Sequence, residues 1–197
     1  MKNLCVYCSS SDAVAPIYLE TARALGAQIA ARGATLIYGG TDLGLMGAVA
    51  RATHTGGGRV VGVIPQALQA RGIADDFADD FADEVIITQD LRERKAVMEA
   101  RADAFIALPG GIGTLEELLE ILTLRQLEAH TKPIILLNTA DYYAPLFALF
   151  SHLYRERFAK PFEDLYHVAN DVAGIFDYLD AYAPFVAPSK WFTPEGR

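Results

Sequence analysis

Cysteine is scarce: only Cys5 and Cys8 occur in 197 residues. Their C-x-x-C spacing would allow a redox or metal-binding pair. The surrounding LCVYC reads instead as a buried strand, where residues three apart face opposite sides. A second metal-binding pair is missing, and His54, His130, His152 and His167 show no ligand spacing. No metal site and no cofactor are expected. Long apolar runs are also lacking. None approaches the roughly 20 residues of a membrane span, and the start, MKNLCVYCSSSD, has too short an apolar run for a signal peptide. A cytoplasmic protein without a membrane partner is the expectation. Positive charge is in short supply too: 17 Lys and Arg against 25 Asp and Glu give a net charge of −8 and a pI of about 4.9. Such a field repels nucleic acid. A local anion site stays open, because backbone amides can build one.

The composition, 52% hydrophobic and 21% charged, is that of a globular chain. Its length suits one domain over 1–197. Short β-rich runs recur at 3–8, 34–40, 59–65, 84–90, 104–111 and 132–138. Helical patterns lie between or after them, near 16–32, 43–56, 91–102, 114–129, 142–157 and 171–182. The strands are apolar throughout rather than alternating, as in a parallel sheet covered on both faces. The expected fold is therefore α/β, a doubly wound, Rossmann-like parallel sheet with helices on both faces. The acidic run ADDFADDFADE (74–84) reads as a solvated loop or short helix, and the tail from 183 as irregular structure, packed on this chain or on a partner.

In such a sheet ligands bind at the carboxyl ends of the strands. Three segments fall there: CSSSD (8–12), YGGTDLGLMG (38–47) and LPGGIGTLEE (108–117). The two glycine loops, with Gly39 and Gly40 in one and Gly110, Gly111 and Gly113 in the other, each lead into a helix. Helix N-termini present free amides and a favourable dipole to a phosphate. Neither loop is a dinucleotide fingerprint, since Glu116 stands where G-x-G-x-x-G needs its last glycine, and no G-K-[ST] is present. Two such turns on one sheet edge suit a mononucleotide.

Behind the second loop, Leu115, Leu118, Leu119 and Leu122 follow helical spacing and predict the buried face. Glu117 then projects almost opposite, and Glu116, Glu120 and Thr123 share a flank. Thr114-x-x-Glu117 also fits a capping box, with Thr114 at the N-cap. In DLRERKAVMEARAD (90–103), Arg92, Arg94 and Lys95 crowd a helix start that disfavours cations. Either a phosphate or Glu117 supplies the missing negative charge, or this is a solvated turn paired with Glu93 or Glu99.

YGGTDLGLMG, RERK and PGGIGTLEE, in this order and spacing, resemble the LOG family of cytokinin riboside 5′-monophosphate phosphoribohydrolases. The family motif P-G-G-x-G-T-x-x-E matches Pro109, Gly110, Gly111, Gly113, Thr114 and Glu117, and its R-K pair falls on Arg94 and Lys95. The chain departs from the family pattern at Leu91-Arg92-Glu93, where Met-His is usual ahead of the R-K pair, and at Thr41, where a third glycine is common. The resemblance implies a homodimer that hydrolyses the N-glycosidic bond of a nucleoside 5′-monophosphate, giving an adenine-type base and ribose 5-phosphate. It implies Arg94 and Glu117 as the catalytic pair. It implies nucleotide contacts from Lys95, Gly110, Gly111, Ile112, Gly113, Thr114, Leu115, Glu116 and Thr123. The same family is often labelled lysine decarboxylase. None of Lys2, Lys95, Lys132, Lys160 and Lys190 stands in a recognisable pyridoxal phosphate context, so that label is rejected. A non-enzymatic nucleotide or molybdenum-cofactor carrier is the alternative.

Overall fold

The computed structural model describes residues 1–70, 82–161 and 164–185. Seven parallel strands form one sheet: β1 (Asn3–Tyr7), β2 (Thr35–Tyr38), β3 (Arg59–Pro65), β4 (Glu84–Thr88), β5 (Ala104–Ala107), β6 (Ile134–Leu137) and β7 (His167–Ala169). Their order across the sheet is β4-β3-β2-β1-β5-β6-β7. Every pairing is parallel, with Cys5 opposite Ile37 on one side and Phe105 on the other. The helices among the described residues are α1 (Pro16–Ala31), α2 (Gly44–Thr55), α3 (Gln66–Gln69), α4 (Leu91–Arg101), α5 (Ile112–Gln126), α6 (Ala144–Arg155) and α7 (Val172–Ala181).

Two apolar layers cover the sheet. Leu4, Val6 and Cys8 pack with α1, α2 and α7, while Cys5 and Tyr7 pack with α4, α5 and α6. Burial on both faces explains why β1 is apolar at consecutive positions. It also disposes of the C-x-x-C motif. Both thiols are free, buried and on opposite faces, and burial pushes Cys5 up to about 12. In α1, Pro16 opens the first turn and Ala22, Leu25, Gly26, Ile29 and Ala30 form the buried stripe. Gly26 is there for closeness, since a Cβ would strike the Val49 carbonyl of α2.

Three expectations change. α5 begins at Ile112, with Gly111 at its N-cap and no side-chain cap, so Thr114 lies inside the first turn and the capping box does not form. Its buried stripe is Thr114, Glu117, Leu118, Ile121, Leu122 and Arg125, while Leu119 is 43% exposed. The face is rotated because Glu117, paired with Arg94, and Arg125, bonded to the Lys132 carbonyl and the Tyr182 hydroxyl, occupy part of it, which a hydrophobic pattern does not reveal. β7 joins the sheet edge after β6, a three-residue strand too short to show a period. The acidic run lies largely outside the described residues, as does the tail beyond Phe185. Phe185 itself packs under the Arg125 guanidinium.

Candidate active site

The chain winds outward from β1 to β4, then returns to lay β5 against the free side of β1. The loops after β1 and β5 therefore part in opposite directions and leave a crevice between them, the usual ligand position in an open α/β sheet. A cleft of about 350 Å³ lies there, walled by Cys8 to Ser11, Met46, Gly111, Gly113, Thr114 and Glu117. Hydrogen bonds hold its walls together. The amides of Leu45 and Met46 donate to the Ser9 carbonyl, Gly44 N–H donates to Asp12 Oδ1 at 2.9 Å, and Ser9 N–H donates to the Pro109 carbonyl. Gly44, at φ +56°, sits where a side chain would meet the Ser10–Ser11 backbone.

One wall is the start of α5. Its first helical bond runs from Leu115 N–H to the Gly111 carbonyl, so the amides of Ile112, Gly113 and Thr114 precede it. Among these residues Ile112 is 87% exposed and Gly111 and Gly113 line the cleft. A Cβ added at Gly111 or Gly113 would meet nothing within 4 Å, and neither residue has positive φ. The protein's own packing does not require these two glycines. Gly110 is different: it is buried, and a Cβ there would run into the Thr114 side chain.

The floor holds an ion pair. Arg94 Nη1 donates to Glu117 Oε1 at 2.6 Å, and Arg94 Nε donates to the Val63 carbonyl at 3.1 Å. The two residues are 7% and 6% exposed. Burial raises the Glu117 pKa above the usual glutamate range; Arg94 opposes this without cancelling it. Room for the guanidinium comes from Gly39, where a Cβ would collide with Arg94 Nη2. Gly40 (φ +74°) passes against Ile64. Both glycines are buried behind the cleft and shape it indirectly.

The basic start of α4 is resolved by carboxylates. Asp90 caps it, accepting from the amides of Arg92 and Glu93. Lys95 bridges to Glu116 and, at 2.7 Å, to Glu120, which share one flank of α5. Burial would lower the Lys95 pKa, but these two acids outweigh it and raise the value. Leu115 packs half-buried against the core. Thr123 stands apart from the cleft. It is exposed, bonded to the Leu119 carbonyl, and lines a separate apolar groove between α5 and α6.

Ser9, Ser10, Ser11 and Met46 line the cleft although the sequence singled out none of them as a binding residue. The CSSSD segment was the available signal, but its hydroxyls have no distinctive spacing. Tyr142 and Tyr143 were missed entirely. Their hydroxyls donate to the carbonyls of Gly110 and Leu108, both at 2.6 Å.

Residues 46–179 match the family model described as possible lysine decarboxylase. A probable cytokinin riboside 5′-monophosphate phosphoribohydrolase of Oryza sativa subsp. japonica is 40% identical over 195 residues, covering 96% of this chain and 78% of that one. A cytokinin riboside 5′-monophosphate phosphoribohydrolase of Arabidopsis thaliana is 46% identical over 160 residues, covering 81% and 72%. Among solved structures, the molybdenum cofactor carrier protein of Chlamydomonas reinhardtii aligns with a TM-score of 0.69 at 26% identity, covering 91% of this chain and 96% of that one. The molybdenum cofactor binding protein of Rippkaea orientalis, at 23% identity and a TM-score of 0.69, covers 92% and 97% and shares the fold. On its sequence motifs, its matched family model and these relatives, the chain belongs to the LOG family of cytokinin riboside 5′-monophosphate phosphoribohydrolases.

Proposed function

We propose that this protein hydrolyses the N-glycosidic bond of adenosine 5′-monophosphate or an N6-substituted form, releasing the free base and ribose 5-phosphate. One observation carries the reading: a buried Arg94–Glu117 pair lies at the floor of a cleft walled by the uncapped start of α5. The substrate's 5′-phosphate lies on the amides of Gly111 to Thr114, where the helix dipole favours an anion. Binding that remote group positions the ribose over the floor and lowers the barrier by orientation.

Breaking the bond builds oxocarbenium character at C1′. Ionised Glu117 stabilises that charge and accepts a proton from the attacking water; the electron pair of the broken bond leaves on the base nitrogen, which takes up that proton, so one water yields free base and ribose 5-phosphate. Its raised pKa makes it a stronger proton acceptor than an ordinary glutamate. A guanidinium is a donor-only partner and a poor proton source, so Arg94 orients Glu117 and does not act as an acid.

The working form is a homodimer in the cytoplasm. Supporting this, α6 carries Leu146, Phe147, Leu149, Leu153 and Tyr154, yet only Phe150 in it is fully buried. The groove beside it is lined by Leu119, Leu122, Thr123, Phe150 and Leu153. Although most of these side chains pack on the core, Leu119 and Leu149 stay 43% and 51% exposed, apolar surface that an interface would cover.

Likeness to molybdenum cofactor carriers favours a second reading, a carrier without catalysis. A carrier needs the amide wall but not a buried carboxylate. The deciding experiment is incubation with a panel of nucleoside 5′-monophosphates and the matching nucleosides, followed by chromatography for free base. Release from the monophosphates alone, with Glu117→Gln folded and slower by about 100-fold or more, is expected. Binding of the monophosphate without base release would select the carrier, and near-normal turnover in Glu117→Gln would remove that residue from the mechanism.

A further inference from the structure

The turn that precedes α5 has a weakness. The peptide joining Gly110 to Gly111 has glycine on both sides, so no side chain of its own resists rotation of that plane. Its orientation matters, because in a trans peptide the carbonyl of one residue and the N–H of the next point opposite ways. No cis peptide occurs among the described residues. The Gly110 carbonyl is held by the Tyr142 hydroxyl at 2.6 Å. The Gly111 N–H is therefore directed away from Tyr142, and Gly111 is one of the cleft's lining residues.

We propose that Tyr142 is a positioning residue that locks the Gly110–Gly111 peptide with its amide toward the bound 5′-phosphate; the inference rests on the phosphate reading of that loop. Tyr142 does not itself line the cleft. It works from behind the loop, and the neighbouring structure is arranged to hold it there. The segment after β6 turns through two non-glycine residues of positive φ, Ala140 at 51° and Asp141 at 56°. Such conformations are costly and persist only where surrounding structure determines them. Asn138 supplies that restraint, its Oδ1 accepting from Tyr143 N–H at 2.8 Å and its Nδ2 donating to Asp141 Oδ1 at 3.2 Å. The turn delivers two adjacent tyrosines to the same loop. Tyr143, 1% exposed, bonds the Leu108 carbonyl, and Tyr142 bonds the next free carbonyl along. The Tyr142 ring is set edge-on between Tyr18 of α1 at 5.8 Å and Tyr143 at 5.2 Å, so its hydroxyl is aimed before any ligand arrives.

The test is Tyr142→Phe, which keeps the ring and removes the hydroxyl. Adenosine 5′-monophosphate binding by calorimetry and steady-state turnover are measured together with thermal melting. Affinity for adenosine 5′-monophosphate should fall about tenfold, the worth of one charge-assisted contact. KM should rise by the same factor while kcat stays within about twofold, and inhibition by ribose 5-phosphate should weaken in parallel. The melting temperature should fall by only about 2–4 °C, since the ring stays in place and one hydrogen bond to the buried Gly110 carbonyl is lost. Unchanged affinity and KM would overturn the proposal, as would a lowered melting temperature with ligand binding intact. If the unaltered protein binds the monophosphate without turning it over, and the variant binds it more weakly, the hydrolase reading falls and the positioning role stands. If the unaltered protein does not bind the monophosphate, both fall.

Discussion

Removing Arg94 tests the electrostatics of the floor more directly than removing Glu117. In Arg94→Met the carboxylate stays buried and loses its 2.6 Å partner. With charges about 4 Å apart and an effective dielectric near 20, the lost attraction is about 4 kcal/mol. Breaking one side of a buried pair costs about 3–5 kcal/mol for the same reason. The protein can escape part of that cost by protonating Glu117, whose pKa is already raised by burial and rises further without Arg94. This makes the penalty depend on pH in a definite direction. A carboxyl whose folded-state pKa lies above its unfolded value contributes fully at low pH and loses that contribution as pH rises through the folded value. The slope is about 1.4 kcal/mol per pH unit where the native state holds one extra proton. In the unaltered protein Arg94 shortens that window; in the variant it extends toward neutrality. Guanidinium unfolding at several pH values between about 5 and 8 should show Arg94→Met losing stability relative to the unaltered protein as pH rises. Adding Glu117→Gln to the variant should abolish the difference in slope. If Arg94→Met and the unaltered protein show parallel pH profiles, the two groups are not coupled in a dry site, and the account of the floor is wrong.

The glycines of the loop should separate by role. Gly113→Ala has open space and negative φ inside a helix, so stability should hold or rise by up to about 1 kcal/mol, while affinity for the monophosphate falls, read by calorimetry. Gly110→Ala should instead lower the melting temperature, because its Cβ would strike Thr114. Cys5 and Cys8 should resist a thiol reagent in the native protein and react only after unfolding, as mass spectrometry will show, since both are buried with raised pKa values. Leu149→Asp on the outer face of α6, 51% exposed, should leave the fold intact but shift the protein toward monomer in light scattering.

The sheet was legible because apolar runs of strand length, separated by helical spacing, admit few other arrangements. Six of the seven strands and the six longer helices follow from that pattern, with boundaries moved by a few residues at most. β7 and the four-residue α3 escaped it because neither is long enough to display a period. The site was legible in a different way. Gly111 and Gly113 could be picked out as glycines, but only the structure separates them from Gly110, Gly39 and Gly40, whose lack of a side chain serves Thr114, Arg94 and Ile64. Thr114 misled for a related reason. A threonine three residues before a glutamate is a good cap signal when the helix starts between them, and here it starts at Ile112, two residues before the threonine. Tyr142 and Tyr143 carried no signal, since the helical pattern near 142–157 absorbed both.

Acidic residues directly behind an anion-binding turn would ordinarily weaken it. Here every one of these acids meets a cation, two of them sharing one lysine. Glu116 and Glu120 lie one turn apart on a flank of α5, and Lys95 reaches across from α4 to hold both. That bridge offsets their charge near the first turn of α5, where the dipole must favour phosphate. Glu117 is one residue on and faces the other way, into the buried floor, where Arg94 meets it. The rotation of about 100° per residue in a helix thus sorts adjacent glutamates into two environments. One is solvated and neutralised, and the other is dry with its pKa raised. Moving the acid by one position would lose that division, so Leu118→Glu combined with Glu117→Leu should neither restore turnover nor preserve the apolar packing that Leu118 supplies.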